Sequence, residues 1–188
     1  GAPKCGKSIF CDRLLLAIAD GAEQFIGRGI GKQHRGAQVL LLALEATPQE
    51  TQTLFRRLLG RDESWPRNVH VRTRNDLPAA PEERKEWLRR LLGRIRPALV
   101  VLDPLVRYRP PIRTALAYQD DYSFADELRE MGQHFECLIL GVHHTAKTAR
   151  GADPGADLIA THGLAGASSA ILGLRHEPGS KRATLTTT

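Results

Sequence analysis

The sequence predicts an α/β domain built on a mainly parallel sheet. Three observations predict it. The apolar runs QVLLLALE (38–45), ALVVLD (98–103) and CLILGVH (137–143) are nearly unbroken, as strands buried on both faces must be. Amphipathic helical segments separate them, so strands and helices alternate. Residues 1–8, GAPKCGKS, fit the spacing G-x-x-x-x-G-K-[ST] of a phosphate-binding loop. That pattern arises by chance in about one chain in a hundred of this length.

Each element has a local cause. Residues 8–20 are helical, because Ile9, Phe10, Leu14, Leu15, Ala17 and Ile18 form a stripe at 3.6 spacing. Gly21 and the Gly27–Gly31 stretch form a loop. Residues 38–45 make a strand that ends in Glu45. Thr47 as N-cap, Pro48 at N1 and Glu50 at N3 start a helix that runs to about Leu59, where Gly60 stops it. Residues 68–72 are a short strand. Residues 81–95 form an amphipathic helix opened by Pro81-Glu82-Glu83 and closed before Pro97. Residues 98–103 are a strand ending in Asp103, and the proline-rich 104–118 stretch is irregular. Residues 120–134 are helical, with Phe124, Leu128 and Met131 on one face. Residues 137–143 read as a third buried strand, 147–163 as a long Gly/Ala/Asp loop, and 167–174 and 182–187 as the last two strands.

Composition sets limits. The 188 residues suit one domain, and 41% hydrophobic content is ordinary for a globular protein. No run approaches the roughly 18 apolar residues of a membrane span. Three irregularly spaced cysteines (Cys5, Cys11, Cys137) fit reduced thiols in a cytoplasmic protein better than a disulfide framework. A net charge of +6 is compatible with a nucleic-acid partner. Most of the arginines at 56, 57, 84, 89, 90, 94 and 96 read as solvated helix faces, and 5% aromatics suggest no base-stacking platform. A phosphate loop follows a buried strand, and no residue precedes Gly1. A strand missing from the sheet, a gap between its neighbours and truncation at both ends of the single domain (1–188) are therefore expected.

The chemistry-bearing residues lie at strand ends. In the loop spanning Gly1, Ala2, Pro3, Lys4, Cys5 and Gly6, backbone N–H groups form an anion nest. Lys7 reaches the β- and γ-phosphates and the Ser8 hydroxyl ligates Mg²⁺, with Ile9 completing the ATP-contacting segment. Asp103 closes an hhhhD pattern and completes the Mg²⁺ site; a helix-capping role is the plain alternative. Glu45 suits a base that polarises the attacking water, or else is a surface carboxylate. His143 and His144 end the third strand, where a histidine hydrogen-bonds the γ-phosphate; a metal-ligating pair is the rival.

Taken in order, GAPKCGKS, LLLALE, LVVLDPL, DDYSFADELRE, LGVHHTAK and THGLAGASSAILGLR resemble the RecA-like ATPases of the RepA type, the hexameric replicative helicases of plasmids and phages. The resemblance implies a RecA-like P-loop fold. It implies Lys7 and Ser8 on phosphate and Mg²⁺, Glu45 as base, Asp103 as the Walker B carboxylate and His144 as sensor. It also implies that the 147–163 loop faces single-stranded DNA, with Lys147 and Arg150 on phosphates; an ordinary surface loop is the alternative. An arginine finger reaching a neighbouring subunit is expected at Arg175, with Lys181 and Arg182 as alternatives. The partners expected are single-stranded DNA and further copies of the chain in a ring, with no membrane. Two other functions fit the pattern. One is a RecA-like ATP switch controlling assembly on DNA. The other is a small-molecule P-loop kinase, which the absence of an arginine-rich lid disfavours.

Overall fold

The structure is a computed structural model that describes residues 6–60, 66–111, 116–144, 162–176 and 183–187. Its centre is a four-stranded parallel sheet, β4-β3-β5-β6, formed by β3 (Val39–Ala43), β4 (Val69–Thr73), β5 (Leu99–Asp103) and β6 (Leu138–Gly141). Helices α2 (Pro48–Leu59), α3 (Arg84–Ile95) and α5 (Ala117–His134) supply the crossovers, and α1 (Lys7–Ala19) precedes the first strand of the sheet. Two small antiparallel ladders stand apart from it: β1 (Gln24–Phe25) with β2 (Arg28–Gly29), and β7 (Leu172–His176) with β8 (Ala183–Thr187). The predicted α/β class with a mainly parallel sheet is what folds.

Strand alternation divides the core into two layers. Leu40, Leu42, Leu44, Val100 and Leu102 pack with α3, α5 and the short helix α6 (His162–Ala167). Val39, Leu41, Ala43, Leu99 and Val101 pack on the other face with α1 and Phe55 of α2. Leu40, Leu42, Leu99 and Leu102 have no exposed surface, and burial of each contributes about 2 kcal/mol.

The caps form as the residues predict. Thr47 Oγ1 accepts from Glu50 N–H at 3.2 Å, and Glu50 Oε2 accepts from Thr47 N–H at 2.8 Å, a reciprocal capping box. Gly60 ends α2 at φ 69°, a left-handed conformation that suits glycine.

Four readings are corrected. Among the described residues the 137–143 run lies at the end of the sheet, not buried on both faces: Leu138 is 60% exposed and Gly141 is also exposed. The 104–118 stretch is not wholly irregular, because Leu105–Tyr108 form a helical turn, α4, and α5 begins at Ala117. The Asp103–Pro104 peptide is cis. Residues 162–167 are helical, so the strand expected from 167 starts later, at Leu172, while β8 covers Ala183–Thr187 among the described residues. Arg84 is no solvated arginine. Its guanidinium donates to the carbonyls of Pro78, Tyr108 and Arg107 at 3.0–3.2 Å, and Tyr108 Oη donates back to Arg84 O.

Between β6 and β7 lies a cavity of about 830 Å³, walled also by α1 and α5. No helix among the described residues is long and apolar enough to cross a membrane.

Candidate functional site

Because β3, β5 and β6 are parallel, their carboxyl ends share one edge of the sheet. Backbone bonds hold those ends level. Leu44 N–H donates to Asp103 O at 2.7 Å, Val142 N–H to Leu102 O at 2.9 Å, and Leu105 N–H to Val142 O at 2.8 Å. Ligands of parallel sheets sit beyond this edge. Glu45, Asp103, His143 and His144 lie along it.

Helix α1 presents its amino end to the same region. Gly6, at φ 90°, takes a left-handed N-cap conformation that favours glycine. The N-cap offers no side-chain acceptor and the first turn carries no carboxylate. The first N–H groups and the positive end of the helix dipole are thus suited to an external anion.

The Ser8 hydroxyl hydrogen-bonds the Asp103 carboxyl group. Burial pushes the Asp103 carboxyl above its usual range and Glu45 adds to this, while Ser8, His144 and Lys7 oppose it. His144 is pulled below its ordinary value by burial and by Lys7, against Glu45 and Asp103, which favours its neutral ring. Lys7, Ser8, Glu45, Asp103 and His144 therefore converge on one spot. Adjacent hydroxyl and carboxylate oxygens are hard ligands of the kind Mg²⁺ takes, so Ser8 and Asp103 fit that ion.

His143 is held differently. It is half-buried, with Nδ1 enclosed and unpartnered among the described residues. Burial, then Arg109 and His144, lower its pKa, while Asp121 opposes them. Arg109 and Asp121 form a buried ion pair beside it, with side chains only 11% and 2% exposed.

The remaining predicted residues separate. Ile9 is exposed in the first turn of α1. Arg175 lies on β7 opposite Thr184 and lines the cavity between β6 and β7, as do Lys7 and His143. It is not among the charges acting on Asp103 or His144. Gly1, Ala2, Pro3, Lys4, Cys5, Lys147, Arg150, Lys181 and Arg182 lie outside the described residues.

Two residues were missed. Arg107 Nε, on α4, is 3.3 Å from Glu45 Oε1; nothing in a proline-rich stretch marks such a partner. Asp12 is buried in α1, its carboxyl pushed up to about 7 by burial and then by Asp103. Its signal was available: it lies four residues beyond Ser8, so both share one helix face. The described thiols, Cys11 and Cys137, hold their protons more tightly than usual. Burial first, and neighbouring carboxylates next, raise Cys11 to about 12, and burial raises Cys137 to about 11.

Compared with known protein families, residues 1–150 match the family described as AAA domain. A search of curated proteins returns no match.

Proposed function

The chain belongs to the AAA domain family, and from that premise we propose that it hydrolyses ATP to drive movement along, or unwinding to, single-stranded DNA in replication, in the manner of a RepA-type helicase. Family membership supports an ATPase and implies nucleotide binding, usually with Mg²⁺. The observation that carries the reading is the convergence of Lys7, Ser8, Glu45, Asp103 and His144 at one sheet edge. Lys7 and the amino end of α1 hold the phosphates. Ser8 and Asp103 hold Mg²⁺, which when bound neutralises charge on phosphate oxygens. Glu45 accepts a proton from the attacking water. Neutral His144 donates one ring N–H to the γ-phosphate and loses that partner when the phosphate leaves.

The DNA half of the proposal rests on the order of motifs and the net charge of +6. Arg175 is the first candidate for a residue reaching a neighbouring copy in a ring, and Lys147 and Arg150 are candidates for contact with the strand. The test is ATPase activity with and without single-stranded DNA, followed by strand displacement on a forked duplex. Stimulation with unwinding is expected. Stimulation without unwinding replaces the motor by an assembly switch. Phosphate transfer to a small acceptor with no response to DNA overturns both.

A further inference from the structure

A second site lies on the opposite flank of the sheet. The order β4-β3-β5-β6 puts β4 at the edge farthest from β6. Between β4 and α3 a pocket of about 340 Å³ opens, lined by Arg72, Asp76, Trp87, Arg90, Leu91 and Arg94. That volume lies at the small end of ligand pockets. Alternation along β4 explains part of the lining. Val69 and Val71 pack into the layer with α1, so His70 and Arg72 point to the α3 side. Arg90 and Arg94 are one turn apart on α3 and share a face.

Among the described residues the positive charge here is only partly compensated, three arginines standing against the one carboxylate of Asp76. Among the described residues, Arg90 and Arg94 have no hydrogen-bond or ion-pair partner. Arg72 gives one N–H to the Val71 carbonyl at 2.7 Å. Asp76, the carboxylate in the pocket, is already engaged: its Oδ2 accepts from Thr73 N–H at 2.7 Å and from Thr73 Oγ1 at 3.0 Å. Three guanidiniums thus face one occupied carboxylate. His70 reports the same field. Its pKa is lowered by burial and then by Arg72 and Arg94. Like charges in excess of their counter-charge repel one another and destabilise the folded state, which an anionic ligand relieves.

We propose that this pocket binds the phosphate of a nucleotide, free or within a strand. Arg72, Arg90 and Arg94 are the phosphate ligands and Trp87 is the wall against which the base or sugar packs. Guanidinium forks match phosphate oxygens two at a time. Trp87 sits partly in the core and partly on the pocket, and an indole face accepts any base. Strand β3 separates the pocket from Asp103, so the site is distinct from the nucleotide site and stands whether or not the chain is a motor.

The test uses the full chain with a fluorescein-labelled twelve-nucleotide oligothymidine, read by anisotropy across a salt series, with thymidine 5′-monophosphate as competitor. Arg90→Ala/Arg94→Ala is expected to weaken strand binding at least tenfold. It should flatten the salt slope by about 1.4, at roughly 0.7 per lost phosphate contact. DNA-independent ATPase activity should be unchanged. Arg90→Gln/Arg94→Gln, which keeps the side-chain stems, must give the same result. Displacement by the monophosphate identifies a free nucleotide as the source; resistance to it identifies the strand. Unchanged affinity and slope in both double variants overturn the site, even where ATPase activity still responds to DNA.

Discussion

Arg107 Nε donates to Glu45 Oε1 at 3.3 Å, joining residues 62 apart in sequence across the carboxyl edge of the sheet. Both side chains are about half exposed, so the pair contributes under 1 kcal/mol. Its consequence is positional: it engages one oxygen of the carboxylate proposed to accept the water's proton. Glu45→Gln should cut kcat by about 10²–10⁴-fold and leave nucleotide affinity within threefold. Arg107→Ala should raise basal kcat, by at most about fivefold given the small pair energy. A fall in kcat as deep as that of Glu45→Gln would show instead that Arg107 orients the base. Steady-state ATPase kinetics and binding of a fluorescent nucleotide measure both.

Asp12 gives the fold a pH dependence. Its carboxyl holds its proton to about pH 7 in the folded chain but only to about 3.8 when unfolded. Between those values the folded state binds more protons, so stability is highest below pH 4 on this account. It falls as pH rises to 7 and levels above it. Asp12→Asn keeps the shape, removes the charge and should flatten this slope, with a gain of order a few kcal/mol at pH 8. Urea denaturation from pH 4.5 to 8 checks it, and a parallel slope in the variant refutes it.

The Arg109–Asp121 pair predicts an asymmetric cost. Arg109→Ala leaves a carboxylate that is 2% exposed without its cation and should cost about 3–5 kcal/mol. Replacing both by leucine should recover most of that loss. Because Arg109 lowers the His143 pKa, Arg109→Ala should also raise the His143 titration midpoint, followed by NMR.

Gly163 sets how closely α6 approaches α5. A Cβ there overlaps Tyr118 O and meets Asp121 Cβ and Tyr122 N at 2.8 Å. Gly163→Ala should push the helices apart and cost about 1–3 kcal/mol in thermal or chemical unfolding. Gly93→Ala, whose Cβ meets only Phe135 at 3.7 Å, is the tolerated control.

What was legible in the sequence was local. Thr47, Pro48, Glu50 and Gly60 mark the ends of α2 because capping involves neighbours only three or four residues away. The apolar runs located β3, β5 and β6, and their terminal residues located Glu45, Asp103 and His144. What was not legible depended on lateral placement. CLILGVH is as apolar as the other runs, but apolarity does not say how many neighbours a strand has, and among the described residues β6 has one. Arg107 meets Glu45, and Arg84 meets three carbonyls of the 107–109 segment, only because crossovers bring α3 and α4 together. Arg90 and Arg94 are exposed, as a solvated helix face predicts; that β4 sets Arg72 beside them was not legible.

Arg84 is the first residue of α3, and Arg94 is near its last. Ten residues of helix make a lever arm of about 15 Å. Its near end is fastened to the carbonyls of Arg107 and Tyr108, and its far end carries the arginine pocket. One helix therefore touches both the arginine pocket and the segment that holds the partner of Glu45.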